Sequence, residues 1–138
     1  MTKTAKSPAE PRGATTPLTE AEWDIIRVVW REQPCAAGTV QEALQASRGW
    51  AYSTVKTIMD RMVKKGLLCT RSIRNLQLFE AVVSEQDARR GEVRGLLRRA
   101  FDGALTPMMG FLLEHETLTD DELRALRRLI DAARRQKR

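Results

Sequence analysis

Between Trp50 and Val83 the chain reads WAYSTVKTIMDRMVKKGLLCTRSIRNLQLFEAVV, and this stretch limits the fold more than any other. Val55, Ile58, Met59, Met62 and Val63 recur at helical spacing. That predicts a helix over residues 52–65 with a single apolar face. Gly66 follows, where a left-handed residue closes a helix. Residues 67–73 and 76–83 are apolar-rich and pair as a hairpin around Arg74-Asn75, because Asn tolerates positive φ at a tip. A one-faced helix must bury that face against other elements, and the residues before it supply them.

Thr19 and Glu22 have the spacing of a capping box, and Leu18 can staple onto Trp23. Trp23, Ile26, Val29 and Trp30 then form an apolar stripe, so both tryptophans are assigned to the core. Pro34 ends this first helix. A second, shorter helix is expected over residues 36–47, with Val40 and Leu44 inward. Its start is weak, since Cys35 and Ala36 are poor caps. Three helices followed by a hairpin make a winged helix-turn-helix over residues 18–84. From Glu85 onward only helical patterns occur: residues 85–102, residues 108–114 opened by Pro107, and a last helix started by a second capping box, Thr119 and Glu122, with Leu118 and Leu123 as its staple. The fold class is therefore mainly α with a small β-hairpin. It comprises an N-terminal winged helix-turn-helix and a C-terminal helical arm over residues 85–138. Residues 1–17 contain Pro8, Pro11, Pro17 and Gly13, bury little, and read as a disordered basic tail.

Charge narrows the function. The net charge is +6, from 24 basic and 18 acidic residues. Residues 48–74 hold Arg48, Lys56, Arg61, Lys64, Lys65, Arg71 and Arg74 against Asp60 alone. Such a concentrated basic face is the electrostatic footprint of a nucleic-acid surface. In a winged helix-turn-helix the third helix enters the major groove. Ser53, Thr54 and Thr57 are small enough to approach base edges and can hydrogen-bond to them, and Lys56 can reach a guanine edge or a phosphate. Arg61, Lys64, Lys65, Arg71 and Arg74 are assigned to phosphates. Two bland alternatives stand beside these roles. Arg61 can pair with Asp60 or another acid of the domain, and Ser53 or Thr54 can simply cap the helix.

Other chemistries are not expected. Cys35 and Cys69 have no metal-ligand spacing, and His115 is the sole histidine, so a triad or a metal site would rest on one lone residue near a helix end. No metal site, no cofactor and no enzyme activity are therefore expected. No apolar run approaches the ~20 residues of a membrane span, and the N-terminus lacks the apolar core of a signal peptide. The expected location is the cytoplasm.

The segments LTEAEWDIIRVVW, WAYSTVKTIMDRMVKKGLL and LFEAVVS together resemble the penicillinase-repressor family of bacterial winged-helix regulators. The likeness spans roughly residues 18–134. It implies a homodimeric repressor on a palindromic, double-stranded DNA operator. It also implies that residues 85–138 are the dimerisation domain, with Val93, Leu96, Leu97, Phe101, Met108, Phe111, Leu112, Leu126, Leu129 and Ile130 as the shared core. Members that guard β-lactam resistance are cut in this arm when a membrane sensor protease pathway is triggered. The matching bond is Gly110–Phe111, but Gly110 stands where the family has Asn, which counts against induction by cleavage. The copper-responsive branch carries a C-terminal cysteine motif, and no cysteine follows Cys69 here. Relatives carry Ser or Thr at the position of Ala36, so a phosphate contact from the second helix falls to the backbone or to Thr39. Two rival functions remain open on sequence: a small-molecule-responsive regulator with a pocket between arm and winged helix, and a winged-helix interaction module that does not bind DNA.

Overall fold

The computed structural model describes residues 17–137, so the expected tail lies outside the described residues except for Pro17. The elements, in order, are α1 (Glu20–Glu32), α2 (Ala37–Ala43), α3 (Gln45–Arg48), α4 (Tyr52–Lys64), β1 (Leu68–Ile73), β2 (Leu76–Ala81), α5 (Glu85–Phe101), α6 (Leu105–His115) and α7 (Asp120–Gln136). This is a winged helix-turn-helix followed by helices.

Each cap matches local chemistry. Thr19 accepts from the Glu22 amide at 3.1 Å and Glu22 accepts from the Thr19 amide at 3.0 Å, completing the first capping box. Thr119 and Glu122 repeat the arrangement at α7. At the end of α4 the Leu67 amide reaches Met62 O and the Gly66 amide reaches Val63 O, with Gly66 at φ +85°. That is a Schellman closure, and it turns the chain straight into β1.

β1 and β2 pair antiparallel from Leu68↔Ala81 to Ile73↔Leu76. Arg74 and Asn75 form the two-residue tip, both with positive φ, as a type I′ turn requires. Cys35 adds a single bridge to Phe79, exchanging two backbone hydrogen bonds of 3.1 and 2.7 Å. The segment after α1 thus forms a rudimentary third strand. Trp30 Nε1 donates to Val83 O, and Gln33 Oε1 accepts from the Ala81 amide, so the end of α1 holds the base of the wing.

Ile25, Ile26, Val29, Val40, Val55, Met59, Met62, Leu67 and Phe79 are fully buried, and Trp23 and Trp30 pack partly buried at the margin of this core. Several sequence expectations are corrected in detail. The second helix breaks at Leu44, leaving α2 and the short α3. The third ends at Lys64 rather than Lys65. α6 starts two residues before Pro107, because a proline among the first helical positions removes no intrahelical hydrogen bond.

The chain divides into two compact units, with the break between Leu96 and Leu97, inside α5. The first turns of α5 belong with the winged helix because Ala88 is buried in its core. In the second unit Phe101 meets Phe111 edge-on, Phe111 stacks on His115, and His115 Nδ1 lies 2.9 Å from Phe111 O.

Candidate nucleic-acid interface

α4 buries Val55, Met59 and Met62 and turns its other face outward. Its N-cap is Ala51, which offers no side-chain cap, so neither Ser53 nor Thr54 is the capping residue. Ser53, Thr54 and Thr57 are exposed, and their hydroxyls have no partner among the described residues. The first two turns of this helix therefore present three unengaged hydroxyls together. Tyr52, at the first helical position and exposed, flanks them.

The seven basic residues of the sequence patch split into two classes. Arg48 Nε pairs with Asp24 at 2.5 Å and its guanidinium lies over the Trp50 ring. Lys56 Nζ contacts both carboxylate oxygens of Asp60, at 3.1 and 3.0 Å. Lys65 Nζ pairs with Glu22 at 2.6 Å. Arg71 reaches Glu80 across the hairpin at 3.3 Å. By contrast Arg61, Lys64 and Arg74 have no acidic partner among the described residues. The alternative pairing of Arg61 with Asp60 is not seen, because Lys56, one helical turn before Asp60, takes that carboxylate.

These pairs differ in weight. The Lys56–Asp60 and Arg71–Glu80 side chains are substantially solvated, and such pairs contribute about 0–1 kcal/mol. Their cations can exchange a carboxylate for a phosphate at little cost. Glu22 is different: it is only 4% exposed. Sequence reasoning missed the Glu22–Lys65 contact because the partners stand 43 residues apart. The Lys56–Asp60 pair had a readable signal in its i, i+4 spacing.

Arg74 stands at the wing tip with φ +53°, between Ile73 and Leu76, which are both exposed. Thr39 is exposed on α2. Cys35 is buried, and its thiol is pushed above the ordinary thiol value by desolvation, with the nearby Glu32 carboxylate adding to it. It stays a neutral core residue. No group of three or more His, Cys, Asp and Glu residues among the described residues could hold a metal. A depression lined by Trp23, Arg27, Glu85 and Arg89 is open, and its cations are already engaged: Arg27 with Asp24, Arg89 with Glu85.

The expected dimer core is spread over both units. Val93, Leu96, Phe111, Leu112, Leu129 and Ile130 are exposed in the single chain, Leu97, Phe101 and Leu126 are half-buried, and Met108 is buried. Leu105, Leu113 and Leu123 are further exposed apolar residues outside that expected set. Gly110 and Phe111 lie within α6.

Comparison with known proteins identifies the family. The penicillinase repressor family model matches residues 18–132. The methicillin resistance regulatory protein MecI of Mammaliicoccus sciuri is 23% identical over 117 residues, covering 85% of this chain and 95% of that protein. The penicillinase repressor of Bacillus licheniformis is 22% identical over 121 residues, covering 88% and 94%. Among solved structures, monomeric Bacillus licheniformis BlaI in complex with the blaP half-operator matches with a TM-score of 0.47 and 22% identity, covering 53% of this chain and 89% of that one.

Proposed function

The chain belongs to the penicillinase repressor family, and on that premise we propose that it is a homodimeric, sequence-specific DNA-binding repressor acting on a two-fold operator. The family is one of transcriptional repressors rather than enzymes. The observation that carries the reading is the outer face of α4, where unengaged hydroxyls stand beside unpaired cations. Ser53, Thr54 and Thr57 read base edges in the major groove. Arg61, Lys64 and Arg74 neutralise phosphates, with Thr39 as a neutral contact from α2. Lys56 and Arg71 join them by giving up their solvated carboxylate partners.

A dimer follows from the apolar surface that one chain leaves uncovered. α7 buries none of its residues, although Leu123, Leu126, Leu129 and Ile130 share one face. A second copy offers the same face, and a symmetric dimer matches a palindromic operator. No helix of the described residues is long and apolar enough to cross a membrane, and a reader of chromosomal DNA works in the cytoplasm. Release through a membrane sensor protease pathway would require α6 to open first, since the Gly110–Phe111 bond lies inside that helix.

A gel-shift titration on DNA upstream of the chain's own gene tests the function. Operator binding should exceed random-sequence binding and fall steeply with salt. Equal affinity for both at every salt concentration would refute it. The interaction-module alternative predicts no shift on either DNA.

A further inference from the structure

Two carboxylates on the first turns of α1 hold the segment that carries the base-reading residues. Asp24 takes Arg48, just ahead of α4, and Glu22 takes Lys65, just behind it. We propose that Lys65 is a positioning residue for DNA reading rather than a phosphate ligand. With Glu22 it fixes the end of α4 to the start of α1, and so sets the angle at which Ser53, Thr54 and Thr57 meet the groove. This role rests on the DNA-reading function proposed above.

The chemistry at Glu22 separates Lys65 from its basic neighbours. The Glu22 side chain is 6% exposed, and both its oxygens are committed: one accepts from the Thr19 amide at 3.0 Å, the other from Lys65 Nζ at 2.6 Å. If Lys65, itself 36% exposed, swung out to a phosphate, it would leave the buried Glu22 carboxylate without its cation, and an uncompensated buried charge is costly. Lys56 and Arg71 face no such penalty, because their carboxylates stay in water.

The lever is geometric. Thr57 lies eight residues before Lys65 and Ser53 twelve, which at about 1.5 Å per residue puts them roughly 12 and 18 Å up the helix. A small tilt at the Lys65 end displaces every base contact together. Phosphate contacts made by long, flexible side chains such as Lys64 tolerate the same tilt. Loss of the clamp therefore weakens sequence preference while leaving the electrostatic part of binding in place.

The test compares Lys65→Met, Lys65→Arg, Glu22→Gln and Lys64→Ala in the full chain. The probes are a palindromic duplex recovered by selection from random DNA and a scrambled duplex of equal length, titrated across a salt series. With Lys65→Met the operator-to-scrambled affinity ratio should fall by roughly tenfold, about the loss of one well-made base contact per site. Its salt slope should match wild type. Lys64→Ala should weaken both duplexes alike and reduce the slope by about 2 per dimer, one phosphate contact on each half-site. Lys65→Arg should restore the ratio. Glu22→Gln should reproduce Lys65→Met, and carries the readout if that variant fails to fold. A Lys65→Met chain that keeps the wild-type ratio, or loses salt slope as Lys64→Ala does, overturns the positioning role. A wild-type chain without operator preference overturns the repressor reading itself and this role with it.

Discussion

The two units of this chain solve opposite problems. The winged-helix unit has a closed core: α1, α2, α4 and the wing bury Ile25, Ile26, Val29, Val40, Val55, Met59, Met62 and Phe79 completely. The C-terminal unit has hardly any core among its described residues. Met108 is buried, yet Leu129 and Ile130 remain 65% and 60% exposed on a helix with a clear apolar stripe. One unit holds its shape within a single chain. The other leaves apolar surface uncovered among its described residues. On the proposed function, the first unit would supply the reading surface and the second would set the spacing between two such surfaces.

The largest expected effect strikes the closed unit. Phe79→Ala removes a fully buried ring that also sits at the bridge to Cys35, and should destabilise the winged helix by about 3–5 kcal/mol in urea unfolding. A loss below ~1 kcal/mol would mean that this core is not the one that holds the wing.

The next effect falls on the open unit. Leu129→Glu combined with Ile130→Glu places charges on the uncovered stripe. The variant should sediment as a monomer, and affinity for a two-half-site duplex should drop about a hundredfold or more as avidity is lost. The urea midpoint of the winged helix should stay at its wild-type value. A variant that remains dimeric would put the association surface elsewhere.

Smaller effects sharpen the contrast. Thr57→Ala should change which bases are preferred, at a cost of about 1–3 kcal/mol on the best site, and barely touch random DNA. Thr119→Ala removes the cap of α7 and should lower the stability of the C-terminal unit by about 1 kcal/mol, read as helix loss in circular dichroism melts. Alkylation at mildly alkaline pH gives the finest comparison. Exposed Cys69 should label quickly and buried Cys35 slowly, since burial raises the thiol and keeps it protonated. Faster labelling of Cys35 would show that the strand segment beside Phe79 opens readily.

Much of this was legible in the sequence, for a definite reason. Both capping boxes, the amphipathic stripe of α4, the glycine closure at Gly66 and the Arg74-Asn75 tip are local devices, set by residues within a few positions of one another. The long-range pieces were not legible. Nothing in the order of residues marks Cys35 as the bridge partner of Phe79, or Glu22 as the partner of Lys65. The basic patch looks like one surface in the sequence because charge counts ignore where acids fold back. Once they do, Arg61, Lys64 and Arg74 are left free among the described residues, and Arg48 and Lys65 become internal fastenings. A proline suggests the opening of a helix, but the first turn of α6 accommodates Pro107 at its third position, so the helix starts earlier than the proline marks.

Selection of bound duplexes from random DNA by the purified full chain tests the central claim most directly, since it asks at once whether the winged helix reads sequence and whether two copies read together. The enriched sequences should carry two inverted half-sites whose centres lie about one helical turn, or a multiple of it, apart. Enrichment of a single asymmetric motif would contradict the dimer, and no enrichment at all would contradict the DNA reader.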